Sequence, residues 1–282
     1  MSHDGPVAQL LHCLALDALD RDLFLGDPGP GEGRLFGGMV AAQCVVAAGR
    51  TVDPERSLHS LHAYFLRPGR HDVPIRFVVD RIRDGRSFTT RRVVAHQGGE
   101  AIFNMSSSFA RPEEGISHQE PAPDAPPPET CEDWEDARVR AMGDESARRE
   151  QAVEVRLVDG SPMDDPTPRE PRQRNWVRMV APLPADDPLL HTAALVYATD
   201  RSLLSTAARP HGLTWGQRMG ASLDHAVWIH HPVVMDGRWL LYASESPAAH
   251  AARGIIFGGL FYQDGTRVAS VAQEALIRVP RR

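Results

Sequence analysis

The chain has 282 residues, 42% hydrophobic and 24% charged, with a formal net charge of −6. That length and apolar share suffice for a sizeable core in one large domain or two smaller ones. The acidic balance excludes a sequence-independent grip on nucleic acid, which needs a surplus of Lys and Arg to neutralise phosphates.

The first residues, MSHDGPVAQLLHCLALDALD, carry acids among the apolar positions. They lack the basic start and clean apolar stretch of a signal peptide. No apolar run approaches the roughly 20 residues needed to span a bilayer, so a cytoplasmic protein without membrane contact is expected. Cys13, Cys44 and Cys131 are odd in number and widely spaced. They fit neither a disulfide framework nor a zinc pattern and are expected to be free thiols.

The segment GGMVAAQCVVAAGR, from Gly37 to Arg50, is apolar on nearly every side and predicts a buried helix. Its two leading glycines could let backbone N–H groups approach a ligand; a tight turn against a sheet is an equal alternative. Four extended segments rich in Val, Ile, Phe and Thr follow: SLHSLHAYFLRP, PIRFVVDRIRD, SFTTRRVVAHQ and EAIFNMSSSFA. His59 and His62, three apart on a predicted strand, fall on opposite faces and make poor metal ligands. Arg83, Arg86, Arg91 and Arg92 are candidates for binding phosphate, with a solvated sheet face as the competing explanation.

From Pro112 to Gln151 the composition shifts to prolines among acids, then to the charged run Glu132 to Glu150. Such a stretch is expected to be a linker with room for one solvated helix. It divides the chain into units at 1–111 and 152–282. In the second unit Asp187 and Pro188 suit the N-cap and first turn of another largely apolar helical segment, DPLLHTAALVYATDRSLLSTA. The extended segments ASLDHAVWIHHP, RWLLYASES, RGIIFGGLFYQ and RVASVAQEALIRVP come next. Pro68 and Pro232 lie 164 residues apart and Gln97 and Gln263 lie 166 apart, so the two units align. One helix too apolar for water followed by about four antiparallel strands is stable when the sheet curls round the helix, and two such units can pair within one chain.

The segments FGGMVAAQ, LHSLHAYFLRPG, RDGRSFTTRRVVAHQ and IFNMSSSF, then YATD, RPHG, SLDHAVWIHHP, ESPAAHAARG and QDGTRVASVAQEALIR, resemble the acyl-CoA thioesterase II family. The resemblance implies an α+β double hotdog fold, with two antiparallel sheets each wrapped around a central helix, and an acyl-CoA substrate. It implies Asp200, Ser222 and Gln273 as the trio that holds and activates water, with one site per chain, in the second unit. Asp224 and His225 are rival site residues; the two-residue strand period puts Asp224 on the face of Ser222. Gly37, Gly38, Arg86 and Arg91 are candidate substrate contacts. No metal or cofactor is implied, and a homo-oligomer, dimer or tetramer, is expected. Two alternatives stand beside hydrolysis: a hydratase, faintly suggested by DDPLLH at Asp186 to His191, and a non-catalytic acyl-CoA-binding module.

Overall fold

A computed structural model describes residues 5–280. The first half contains α1 (Pro6–Leu14), β1 (Asp17–Asp20), β2 (Leu23–Gly26), α2 (Gly37–Gly49), β3 (Ser57–Phe65), β4 (Ile75–Asp84), β5 (Phe88–Gln97) and β6 (Glu100–Ala110). After it come β7 (Glu132–Asp133), α3 (Trp134–Met142), β8 (Val153–Leu157), β9 (Arg172–Met179), α4 (Pro188–Thr199) and α5 (Leu203–Ala208). The chain ends with β10 (Met219–Ser222), β11 (Asp224–Ile229), β12 (Leu240–His250), β13 (Arg253–Tyr262) and β14 (Arg267–Arg278).

All strand pairs are antiparallel and join one sheet in the order β1-β2-β4-β5-β6-β3-β11-β14-β13-β12-β9-β8-β7, with β10 also on β14. The two halves meet where β3 pairs with β11, from Tyr64 opposite Asp224 to Ser60 opposite Trp228. Within the strands the two-residue period decides burial: in β4, Ile75, Phe77 and Val79 point into the core while Arg76, Val78 and Asp80 face out.

α2 and α4 form the centre of the core. Helix α2 buries residues on every side, as its composition requires, and its one polar core side chain, Gln43, donates to the carbonyls of Cys13 and Asp27. Helix α4 starts as expected: Asp187 accepts from the Leu190 N–H at 3.0 Å, and Pro188 occupies the first turn. The helices pack antiparallel. A Cβ on Gly38 would lie 2.6 Å from the Tyr197 carbonyl, and one on Gly49 would run into the Leu189 side chain. The N-terminus of α2 therefore meets the C-terminus of α4.

Two expectations change. The stretch expected to stay solvated is tied down: Trp176 Nε1 donates to the Pro126 carbonyl at 2.8 Å, and Gln119 bonds the backbone of both Gly265 and Arg267. Within it α3 buries Trp134 and Ala137, so one apolar face outweighs the charged average. Strands β8 and β9 escaped the sequence reading because β9 turns Gln173 and Asn175 into the core, which disguises its alternation. No helix among the described residues is long and apolar enough to cross a membrane.

Candidate active site

Asp200 is the C-cap of α4, Ser222 ends β10 and Gln273 lies in β14. Strand pairing sets Ser222 opposite Ala275, and Gln273 projects inward from the same strand toward α4. The three side chains meet. The Ser222 hydroxyl donates to Asp200 Oδ1 at 2.8 Å, and Gln273 Nε2 donates to Ser222 Oγ at 2.5 Å and lies 3.4 Å from Asp200 Oδ1.

Donor and acceptor chemistry extends the chain inward. With both amide protons of Gln273 directed at Ser222 and Asp200, its Oε1 must accept, and His225 Nδ1 stands 3.0 Å away. His225 therefore carries its proton on Nδ1, and its Nε2 lies 2.8 Å from the Thr199 hydroxyl, which also stands 2.8 Å from the Val196 carbonyl. Burial lowers the His225 pKa to about 4, so the ring is neutral and holds this pattern at neutral pH.

Asp200 has its pKa raised to about 6. Burial is the main cause, opposed by hydrogen bonding from Ser222, by the Gly38 amide at the start of α2 and by Gln273. The adjacent Arg201 offers it no relief, because its guanidinium binds Gln151 at 2.8 Å and lies 3.7 Å from Glu135. The α2 N-terminus has no side-chain cap, and a Cβ on Gly37 would lie 2.8 Å from Asp200 Oδ2. Gly37 and Gly38 thus bring the uncapped start of α2 against the carboxylate of Asp200, a protein group and not the ligand expected there.

Asp200 and Ser222 open onto a cavity of about 490 Å³ lined largely by Phe36, Phe65, Phe103, Trp134, Leu204 and Trp215. Gln273 lies behind them, 1% exposed. A second cavity, of about 600 Å³, sits between the 120–123 segment and β9, β12 and β13; it contains none of the trio, and Arg174 on its wall is already paired with Asp159.

Several candidates fall elsewhere. Arg91 is 1% exposed and spent on Thr51, Asp84 and backbone carbonyls, so it braces the first half and is not a substrate contact. Arg86 is exposed and does not line the cavity. Asp224 does not share the face of Ser222. From Ser222 to Ala226 the chain advances four residues while its β14 partners, Ala275 to Ala272, advance three. The extra residue is a bulge, and it turns Ser222 and His225 inward and leaves Asp224 accepting from the Glu274 N–H at 2.6 Å. His59 bonds Ser108 and His62 meets Trp228 edge to face. No cluster that could hold a metal ion occurs among the described residues.

The family model described as acyl-CoA thioesterase matches residues 159–276, and that of the acyl-CoA thioesterase N-terminal domain matches residues 26–110. The chain is 36% identical to acyl-coenzyme A thioesterase 8 of Mus musculus, over 94% of this chain and 88% of that protein. It is 34% identical to acyl-CoA thioesterase 2 of Haemophilus influenzae, over 95% and 96%. Among solved structures, the acyl-CoA thioesterase II TesB2 of Mycobacterium marinum superposes with a TM-score of 0.80 at 40% identity, over 96% and 97% of the two chains. A protein of unknown function with a hot dog fold from Alicyclobacillus acidocaldarius, 22% identical, superposes at 0.78 over 96% and 98%, which speaks to the fold alone. With both halves of the family matched in order and the likeness running the length of the chain, this protein belongs to the acyl-CoA thioesterase family.

Proposed function

We propose that the chain hydrolyses acyl-CoA thioesters by general-base activation of water, with Asp200 as the base and Ser222 and Gln273 orienting the nucleophile. The observation that carries this reading is the three-way contact of Asp200, Ser222 and Gln273, with Asp200 and Ser222 on the wall of a largely apolar cavity. A carboxylate with a pKa near 6 is ionised at neutral pH yet basic enough to take a proton from water in the transition state. Water attacks the thioester carbonyl as Asp200 accepts its proton. The tetrahedral oxyanion then collapses, the C–S bond breaks, and the proton returns to the departing thiolate. Both Gln273 N–H groups point at Ser222 and Asp200, so neither is free to face the oxyanion.

The same reading takes in a double hotdog architecture with units near 1–111 and 152–282, α2 and α4 as their central helices and 112–151 as the connection. It also includes a cytoplasmic location and a homo-oligomer, the latter supported by Tyr64 and Trp228, which stay exposed on the outer face of the central strands. The hydratase alternative loses its histidine: His191 is buried and bonded to the Pro184 carbonyl and the Met235 N–H.

Thiol release from a saturated acyl-CoA tests the assignment. Asp200→Asn is expected to lower kcat at least about a hundredfold, roughly 2.7 kcal/mol of barrier, with the fold intact. Turnover equal to the parent protein would remove Asp200 from the chemistry.

A further inference from the structure

Arg218 is half-buried and has no acidic partner among the described residues. It lines the cavity that holds Asp200 and Ser222. Its one hydrogen bond is from Nη2 to the Ser205 hydroxyl at 3.3 Å, and its buried Nη1 has no partner. Arg201, also in the cavity wall, has Glu135 and Gln151; Arg209 lies in the field of Asp159; Arg67 pairs with Glu100 at 3.0 Å. Arg218 makes no salt bridge among the described residues, and burial alone lowers its pKa, to about 10, leaving it charged at neutral pH. An unpaired, half-buried cation is a cost to the folded state, and packing does not explain why it is there.

Its place on the strand says what it faces. Arg218 has extended backbone, and β10 follows with regular pairing to β14 through Ser222. Arg218, Gly220 and Ser222 therefore share one face. Four extended residues put the backbone of Arg218 about 13 Å from that of Ser222 along the cavity. Between them Gly220 has no side chain, and Leu204 lies over it, 2.7 Å from where a Cβ would be. An apolar floor thus separates the hydrolytic group from a cation.

We propose that Arg218 receives an oxyanion carried by the substrate at a distance from the thioester, either a phosphate of the CoA or a carboxylate at the far end of the acyl group. This rests on the hydrolytic reading of Asp200 and adds a charge requirement to it. A fork of guanidinium donors with a free, desolvated Nη1 suits either anion, and a water-poor wall makes the pairing stronger than at the surface. The cation is a specificity residue placed at a cost in stability that the bound anion offsets.

The test compares Arg218→Met with the parent protein on three thioesters of equal acyl length: a saturated acyl-CoA, the same acyl group on pantetheine, which has no phosphate, and its ω-carboxyacyl-pantetheine counterpart. The variant is expected to lose at least about tenfold more kcat/KM on one anionic thioester than on the uncharged one. Excess loss on the CoA thioester identifies the phosphate, and excess loss on the ω-carboxy thioester identifies the carboxylate. Its Tm is expected to equal or exceed the parent value, because an unpaired half-buried charge has been removed. Equal losses on all three substrates, or a lowered Tm, would overturn the proposal and leave Arg218 a structural residue. Asp200→Asn run in parallel keeps the two ideas separate: it should abolish turnover of all three, and its failure to do so would sink the catalytic reading without touching the selectivity ratio of Arg218→Met.

Discussion

At the scale of single residues, Asp200 sets the behaviour of the site with pH. It serves as a base only when ionised, so kcat/KM should rise with pH through about 6 and level off above it. A pH–rate profile flat from 5 to 8 would contradict the assignment. The same shift bears on stability. The folded-state pKa, about 6, lies above the ordinary 3.8, so the folded protein binds this proton more tightly than the unfolded chain does. The contribution is present below about 4 and is lost as pH rises through about 6, by roughly 3 kcal/mol for a two-unit difference. Denaturant unfolding should therefore show Asp200→Asn gaining stability over the parent at pH 7 and little at pH 4. The residue types of the trio were legible from the motifs YATD, SLDH and SVAQEA. The relay through His225 and Thr199 was not, because it depends on which side of a bulged strand each residue faces.

At the scale of elements, the site exists because two helices packed side by side and antiparallel bring opposite ends together. The C-terminus of α4 alone would disfavour a carboxylate at position 200, and the N-terminus of α2 supplies the opposite dipole there. The approach requires glycine at position 38. A methyl group would stand 2.6 Å from the Tyr197 carbonyl, a backbone atom that cannot step aside without moving α4. Gly38→Ala is expected to destabilise the protein by about 1–3 kcal/mol and to lower kcat more than KM, since it shifts α2 against Asp200. Thermal unfolding and steady-state kinetics would check both, and an unaltered kcat would mean that the junction has no catalytic consequence. Most elements were readable in advance: continuous apolarity marked α2 and α4, and period-two alternation marked β3 to β6 and β11 to β14. The bulge after Ser222 was not, because a single inserted residue leaves no trace in a pattern of two. The polar inward face of β9 and the lone Trp134 anchoring α3 defeated composition for the same reason: local averages do not register individual partners.

At the scale of the whole molecule, the double hotdog proposal treats the chain as two similar halves, with Asp200, Ser222 and Gln273 in one of them. The near-constant offset between matching landmarks is the sequence feature behind that proposal. The joint between β3 and β11 was not legible, because strand order depends on long-range pairing. That joint decides how separable the halves are. The second half supplies Asp200, Ser222 and Gln273, while the first supplies Phe36, Phe65 and the N-terminal amides of α2. Cutting the chain would strip β11 of its partner along five paired residues and uncover the apolar flank of α4 that α2 buries. A fragment of residues 112–282 expressed alone should consequently be inactive and prone to associate through the exposed edge. Coexpression with residues 1–111 should restore thiol release if the two pair as they do in the intact chain. A lone second half with the parent kcat would show that the amides of α2 contribute nothing to the transition state.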